Sequence, residues 1–293
     1  MTQKKAAVFV MLGQSNAVGH GVPMEEKDKL LTPMKNVFGL SREKNQSFDH
    51  TALFWEGYRS FGMNLAEEQD NTYSVPNLLA TLWQKHINEG NALGLPDLYI
   101  VQIAIGAQGI TEGYMWHPDR EKRLIPGKLG TVDISLYPFT CHIFSLLRES
   151  FAARGMDFEV MGIHWRGGEN DMYAETKREY LEEHLEGLYT RMITDFDALL
   201  DTPPFVFHLL ACPDRTLDCD PTGYSLKNML YINSVFELLS HKRENVSAFD
   251  VRNCPYFVPG VRGNGIFMED VVHFTPEVNL WVAEQILKAY AEK

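Results

Sequence analysis

Cysteine is scarce in this sequence. Cys141, Cys212, Cys219 and Cys254 show no C-x-x-C spacing, and four cysteines are too few to staple a chain of 293 residues. They read as free thiols in a reducing compartment. Long hydrophobic runs are missing too: no segment approaches the ~18 consecutive apolar residues that span a bilayer. Positive charge is the minority sign. Lys plus Arg number 27 against 39 for Asp plus Glu, a net charge of −12. Such a surface repels phosphate backbones and anionic lipid, so neither nucleic acid nor a membrane is expected as a partner. Hydrophobic residues at 45% and charged residues at 23% exclude disorder and low complexity.

Several motifs are also absent. There is no Gly-x-Ser-x-Gly, no Gly-x-x-x-x-Gly-Lys and no His-Glu-x-x-His. Ser41-Arg-Glu-Lys44 fits Ser-x-x-Lys without its companion motifs and is read as chance. The apolar run Ala6–Leu12 leads into the polar turn Gly13-Gln-Ser-Asn-Ala-Val-Gly19, with no cleavage site. It is read as a buried first strand of a cytoplasmic protein, and the sequons at Asn45 and Asn245 then carry no consequence.

What is present is an alternation. Short apolar runs at Ala6–Leu12, Leu98–Ile105, Phe158–Trp165, Pro204–Ala211 and Val246–Val251 have the length and composition of strands buried on both faces. Between and after them lie helical patterns over Val75–His86, Tyr137–Ala153, Glu175–Leu200, Leu226–Leu239 and Pro276–Tyr290. Thr275 and Pro276 form a helix start. The order predicts an α/β fold: five parallel strands, helices on both faces, one domain over residues 1–293. Two stretches, about 18–72 and 107–136, are too long for βα loops and are read as insertions at the carboxyl edge of the sheet, where such folds hold ligands.

Four blocks follow strands or precede the last helix at that edge. Ser15, in Gly13-Gln-Ser-Asn16, stands where a strand ends and offers a nucleophile. Asp270-Val-Val-His273 spaces a carboxylate to reach one imidazole nitrogen, which leaves the other as a base. Gly106, in Ile105-Gly-Ala-Gln-Gly109, can bring a backbone N–H close to a ligand. Asn170, in Gly167-Gly-Glu-Asn-Asp171, offers an amide. Each block alone also fits an ordinary cap or turn. Their conjunction is an acyl-transfer set: nucleophile, base with its orienter, and donors from Ser15 N–H, Gly106 N–H and the Asn170 side chain for an oxyanion hole.

These blocks resemble the SGNH, or GDSL-like, hydrolases. The Gly-Gln-Ser-Asn form is similar to the carbohydrate-esterase branch with sialic-acid O-acetylesterases and acetylxylan esterases. The resemblance spans Gly13 to Trp281. It implies a three-layer α/β/α sandwich, a Ser15–His273–Asp270 triad, no metal and no other cofactor. It also implies a small-molecule or oligosaccharide acyl ester as substrate. The chain departs from the branch at Gly167, where a Gln is usual, and at Gly106-Ala-Gln108, where Gly-Gly-Thr is usual. Gln14, Arg166, Glu169 and Trp116 are expected as substrate contacts. Trp116, with His117, Trp55 and Tyr58, is a candidate sugar-stacking wall.

Overall fold

The computed structural model describes residues 4–20, 22–23, 34–59, 62–68, 72–124, 133–173, 177–211 and 224–293. Cys212, Cys219 and the expected helix start at Glu175 lie outside them.

The first strand, β1 (Lys4–Gly13), is the centre of the sheet. Its side chains alternate faces, and the two sets feed two cores. Ala6, Val8, Val10 and Leu12 join one; Ala7, Phe9 and Met11 join the other. A strand apolar on both faces must be covered on both. On the first side lie α3 (Leu136–Ala152), α5 (Arg178–Leu200) and α6 (Tyr224–Lys242), contributing Phe139, Tyr189 and Phe236 among others. On the second lie α2 (Val75–Asn88) and α7 (Pro276–Ala291), with Trp83 and Val282. Two single-turn helices, α1 (Ser15–Val18) and α4 (Glu169–Met172), sit at the sheet's carboxyl edge. The expected start of α7 is observed: Thr275 caps it, its hydroxyl accepting from Val278 N–H at 3.4 Å.

Among the described residues the sheet has seven strands where five are read from the sequence, in the order β3-β2-β4-β1-β5-β6-β7. The expected five appear as β1, β4 (Asp97–Ala104), β5 (Met156–Arg166), β6 (Phe205–His208) and β7 (Val246–Phe249). The additional two, β2 (Val37–Leu40) and β3 (Trp55–Gly57), lie in the stretch read as an insertion. They escape the pattern because they are short and each contains a glycine. Only β3 is antiparallel, at the edge beside β2.

Register makes the functional edge. Gly13 pairs with Ala104 on one side and Arg166 on the other. The three central strands therefore end level, and whatever follows each of them emerges side by side. Gly13 is required at this point: its φ of 139° suits glycine, and a Cβ would collide with the Arg166 carbonyl.

Candidate active site

Three strand ends and one pre-helical turn converge on a cleft of about 930 Å³, lined by Ser15, Gly106, Asn170 and His273 among others. The cleft brings together residues of all four blocks. Ser15 opens α1 and is nearly buried, 7% exposed. Its N–H has no acceptor among the described residues. The Asn170 side chain makes no hydrogen bond among them either, while its backbone N–H donates to Gln14 Oε1 at 3.3 Å. Gln14 is thus a link between β1 and α4 as well as a lining residue.

The turn before α7 is built by Asp270. Its Oδ1 accepts from Val272 N–H at 2.9 Å and His273 N–H at 3.0 Å, and its Oδ2 lies 2.7 Å from His273 Nδ1. Burial opposes the charge, but these bonds from the His273 and Val272 backbones and the His273 ring hold the carboxyl below its ordinary range. The turn bends through Val271, whose φ of 55° is in the left-handed region that β-branched residues avoid. The carboxylate fixes ring and backbone together, which leaves Nε2 as the free nitrogen of His273.

Asn16, quoted in the sequence only as part of the serine block, fastens this turn to the Ser15 segment. Its Nδ2 donates to Val272 O at 3.2 Å and Glu169 Oε1 at 2.9 Å, and its Oδ1 accepts from Phe274 N–H at 3.2 Å. Asp171 acts similarly on the loop after the Gly106 block. Fully buried, it accepts from Ile110 N–H, Thr111 N–H and the Thr111 hydroxyl, at 2.7–3.1 Å. Burial raises its pKa, against the pull of those bonds. Gly109 carries no side chain because a Cβ there would strike this carboxylate.

The Gly106 N–H lies in the cleft as expected, but it is engaged. It donates to Glu67 Oε2 at 2.7 Å, and Glu67 Oε1 lies 2.9 Å from His20 Nε2. Asn64 sets this up. Its side chain bonds both ways with the Ala104 backbone, Nδ2 to O at 2.9 Å and Oδ1 from N at 3.1 Å. That clamps residues 64–66 beside β4 and brings Glu67 to Gly106. His20 in turn meets the His273 ring edge-on, centroids 5.8 Å apart. Neither Glu67 nor His20 carried a sequence signal, since both lie in the long patternless stretch.

Two expected substrate contacts are elsewhere. Trp116 is fully buried: its Nε1 donates to Gly13 O at 3.0 Å and its ring meets Trp165 edge-on at 5.0 Å. No face is left for a sugar; the indole braces the end of β1 instead. Tyr58 is likewise fully buried, and Trp55 packs on Tyr99 and Phe151 with Nε1 on the Ser150 hydroxyl. Nor does His117 line the cleft. The stacking wall is not formed. Arg166 is 2% exposed beneath the site, donating to Asn16 O at 3.1 Å and Asn279 Oδ1 at 2.7 Å, with Phe274 against its guanidinium. Burial lowers its pKa to about 10. It supports the Ser15 and His273 segments from below. Glu169 does line the cleft, held by Asn16.

Among the described residues no group of His, Cys, Asp and Glu is arranged to hold a metal ion, and no helix is long and apolar enough to cross a membrane.

No protein-family model matches the chain, and no curated protein matches it in sequence. Solved structures do. A protein from Arabidopsis thaliana aligns over 98% of both chains at 16% identity and a TM-score of 0.61. NanS aligns over 100% of both at 15% identity and 0.54. A carbohydrate acetylesterase from Xanthomonas citri aligns over 96% of this chain and 55% of its own, at 12% identity and 0.51. What the chain shares with these three proteins is the α/β fold, along nearly its whole length.

Proposed function

We propose that the protein is a serine esterase that removes small acyl groups, acetyl foremost, from carbohydrate hydroxyls. One observation carries the reading: Ser15, a carboxylate-bound His273, the unengaged Ser15 N–H and the unengaged Asn170 amide line a single cleft. Ser15 Oγ attacks the ester carbonyl as His273 Nε2 takes its proton. Asp270 keeps Nδ1 protonated and stabilises the imidazolium. The oxyanion is received by Ser15 N–H and Asn170, and by Gly106 N–H once Glu67 has withdrawn. His273 returns the proton to the departing alcohol, and water then cleaves the acyl-enzyme. The carbohydrate acetylesterase among the structures of like fold supports a sugar as the alcohol.

The test is acetate release from acetylated sugars, with Ser15→Ala as the blank. Losing the nucleophile costs on the order of 10⁶ in turnover. A serine-directed organophosphonate should add one adduct mass, at Ser15. A Ser15→Ala enzyme keeping a tenth of wild-type activity defeats the proposal. The engaged Gly106 N–H favours a second reading, a catalytically silent carbohydrate binder. Hydrolysis of p-nitrophenyl acetate by the wild type, lost in Ser15→Ala, eliminates it.

A further inference from the structure

Beyond the proposed catalytic groups, the cleft holds a cation that no described residue pairs with. Arg42 lines the same cleft as Ser15 and His273. Five described arginines are at least partly buried, namely Arg42, Arg120, Arg166, Arg178 and Arg243. The other four each donate to an acceptor: Asp133, Asn279, Glu182 and Asp197 respectively. Arg42 alone donates to none among the described residues, and its Nε is shut from solvent without a partner. A buried, unpaired donor on a charged group is costly unless something else completes it.

The backbone under Arg42 is built with care. It follows β2, which runs parallel to β4, so it leaves the sheet at the same edge as Gly106. Asn45 is fully buried and fixes the turn: Nδ2 donates to Ser41 O and to Phe54 O, and Oδ1 accepts from Phe54 N–H. Ser41 N–H also donates to Phe54 O, at 2.8 Å. A fixed turn offering an unpaired guanidinium to a catalytic cleft is preorganised for an anion.

The cleft's carboxylates do not fill that role. Glu67 is held by Gly106 N–H and His20, Asp133 is bound by Arg120 and Arg123, and Glu169 is held by Asn16. Glu68 stands exposed on the lining and forms no ion pair with Arg42. The same carboxylates bound the charge that can enter. A dianionic phosphate would meet several negative groups with one guanidinium to offset them. A single carboxylate matches one guanidinium, whose planar fork suits it.

We infer that Arg42 is a specificity-determining residue that binds a carboxylate on the acylated sugar, so that the preferred substrates are O-acylated acidic sugars. This rests on the esterase reading above. It also gives an acidic protein, net −12, a local point of attraction for a substrate that its overall field repels.

The probes are a monoacetylated methyl glucuronoside and the matching glucuronamide, alike except for charge. Acetate release gives kcat/KM on each at low ionic strength. The wild type should favour the acid by roughly tenfold or more, mainly through KM. In Arg42→Met that ratio should fall to about one, and Arg42→Lys, which keeps charge without the fork, should lie between. A folding defect scales both substrates and leaves the ratio unmoved. Calorimetric titration of Ser15→Ala with the two sugars reads the same preference without turnover. A wild type that treats acid and amide alike, or that neither turns over nor binds the acid, overturns the inference, as does a ratio that survives Arg42→Met. The esterase reading survives all three provided p-nitrophenyl acetate is hydrolysed in a Ser15-dependent way. A wild type that hydrolyses no ester refutes both.

Discussion

Glu67→Ala should make the enzyme faster and less stable. The Glu67 carboxylate accepts the Gly106 N–H at 2.7 Å, the donor that an oxyanion would claim under the proposed mechanism. For that donor to serve the transition state, the charge-assisted bond must first break, at about 1.5–3 kcal/mol. A carboxylate that stays nearby also opposes the developing oxyanion. Two like charges ~4 Å apart cost as much as ~4 kcal/mol at an effective dielectric of ~20, and His20 beside Glu67 and the solvent in the cleft reduce this. Taking the bond alone, the variant gains about 1.5–3 kcal/mol in the transition state, a rise in kcat/KM of roughly 10- to 150-fold. Glu67→Gln, whose amide oxygen can still accept from Gly106, should gain less. Both remove the carboxylate that meets His20 Nε2, and Glu67→Ala should melt a few degrees earlier, on the order of 1–2 kcal/mol. Initial rates on p-nitrophenyl acetate, with a calorimetric melt of each variant, decide the matter. A fall in kcat/KM in Glu67→Ala would refute the reasoning. It would mean that Gly106 N–H serves to hold Glu67 and that the oxyanion is received by Ser15 and Asn170 alone.

Three further outcomes follow from the same geometry. Asp270→Asn retains an oxygen for the backbone N–H groups of Val272 and His273 but cannot both do that and accept from His273 Nδ1; turnover should fall about 10³–10⁴-fold with little change in melting, and an unchanged rate removes Asp270 from the triad. Asn16→Ala breaks two bonds joining the serine and histidine segments and a third to Glu169 of α4; at about 1 kcal/mol each it should lower stability by about 3 kcal/mol, and kcat should drop more than KM rises, which steady-state kinetics and a melt would show. The fold should also be acid-sensitive through His164 and His208, buried with ring nitrogens 3.0 Å apart. Burial lowers the His164 pKa to about 3 and takes His208 well below its ordinary value. Both groups then protonate more readily unfolded than folded, so stability is full above about pH 6.5 and is lost as pH falls from there toward 3, by up to ~1.4 kcal/mol per pH unit per group. Melting temperatures from pH 8 to 4 test this, and a flat profile contradicts it.

The parts of this molecule legible in its sequence are those with strong local periodicity. The strands of the parallel core are apolar on both sides, and the helices carry clear stripes, so both could be read without tertiary information. The end of β1, the turn before α7 and the glycines beside β4 follow from these, because level strand ends bring their sequels together. Other features depend on contacts across long sequence separations. Glu67 meets Gly106, 39 positions on, and Asn16 meets Phe274, 258 positions on. No local pattern encodes either. The strand β2 is legible only once β4 is there to pair with it, and β3 only once β2 is. Trp116 misled for a related reason: an aromatic in a long loop looks available until Trp165 and the Gly13 carbonyl are found against it.

The departure at Gly167 has a packing cause that joins the core to the site. A Cβ on Gly167 would lie 3.1 Å from Trp165 Cζ2 and 3.3 Å from Gly13 Cα, tighter than a side chain is normally accommodated. The space is taken by the Trp165 indole, which meets Trp116, which in turn bonds Gly13 O. A side chain in place of Gly167 would therefore require Trp165 and Gly13 to give by a few tenths of an ångström, and that shift would fall on the buried indole pair. Three residues further on there is room: Asn170 stands at α4, its backbone tied to Gln14 and its side chain unengaged in the cleft. The two-tryptophan brace against Gly13 thus leaves little room for a side chain at 167, and α4 is the element that carries an amide side chain into the cleft.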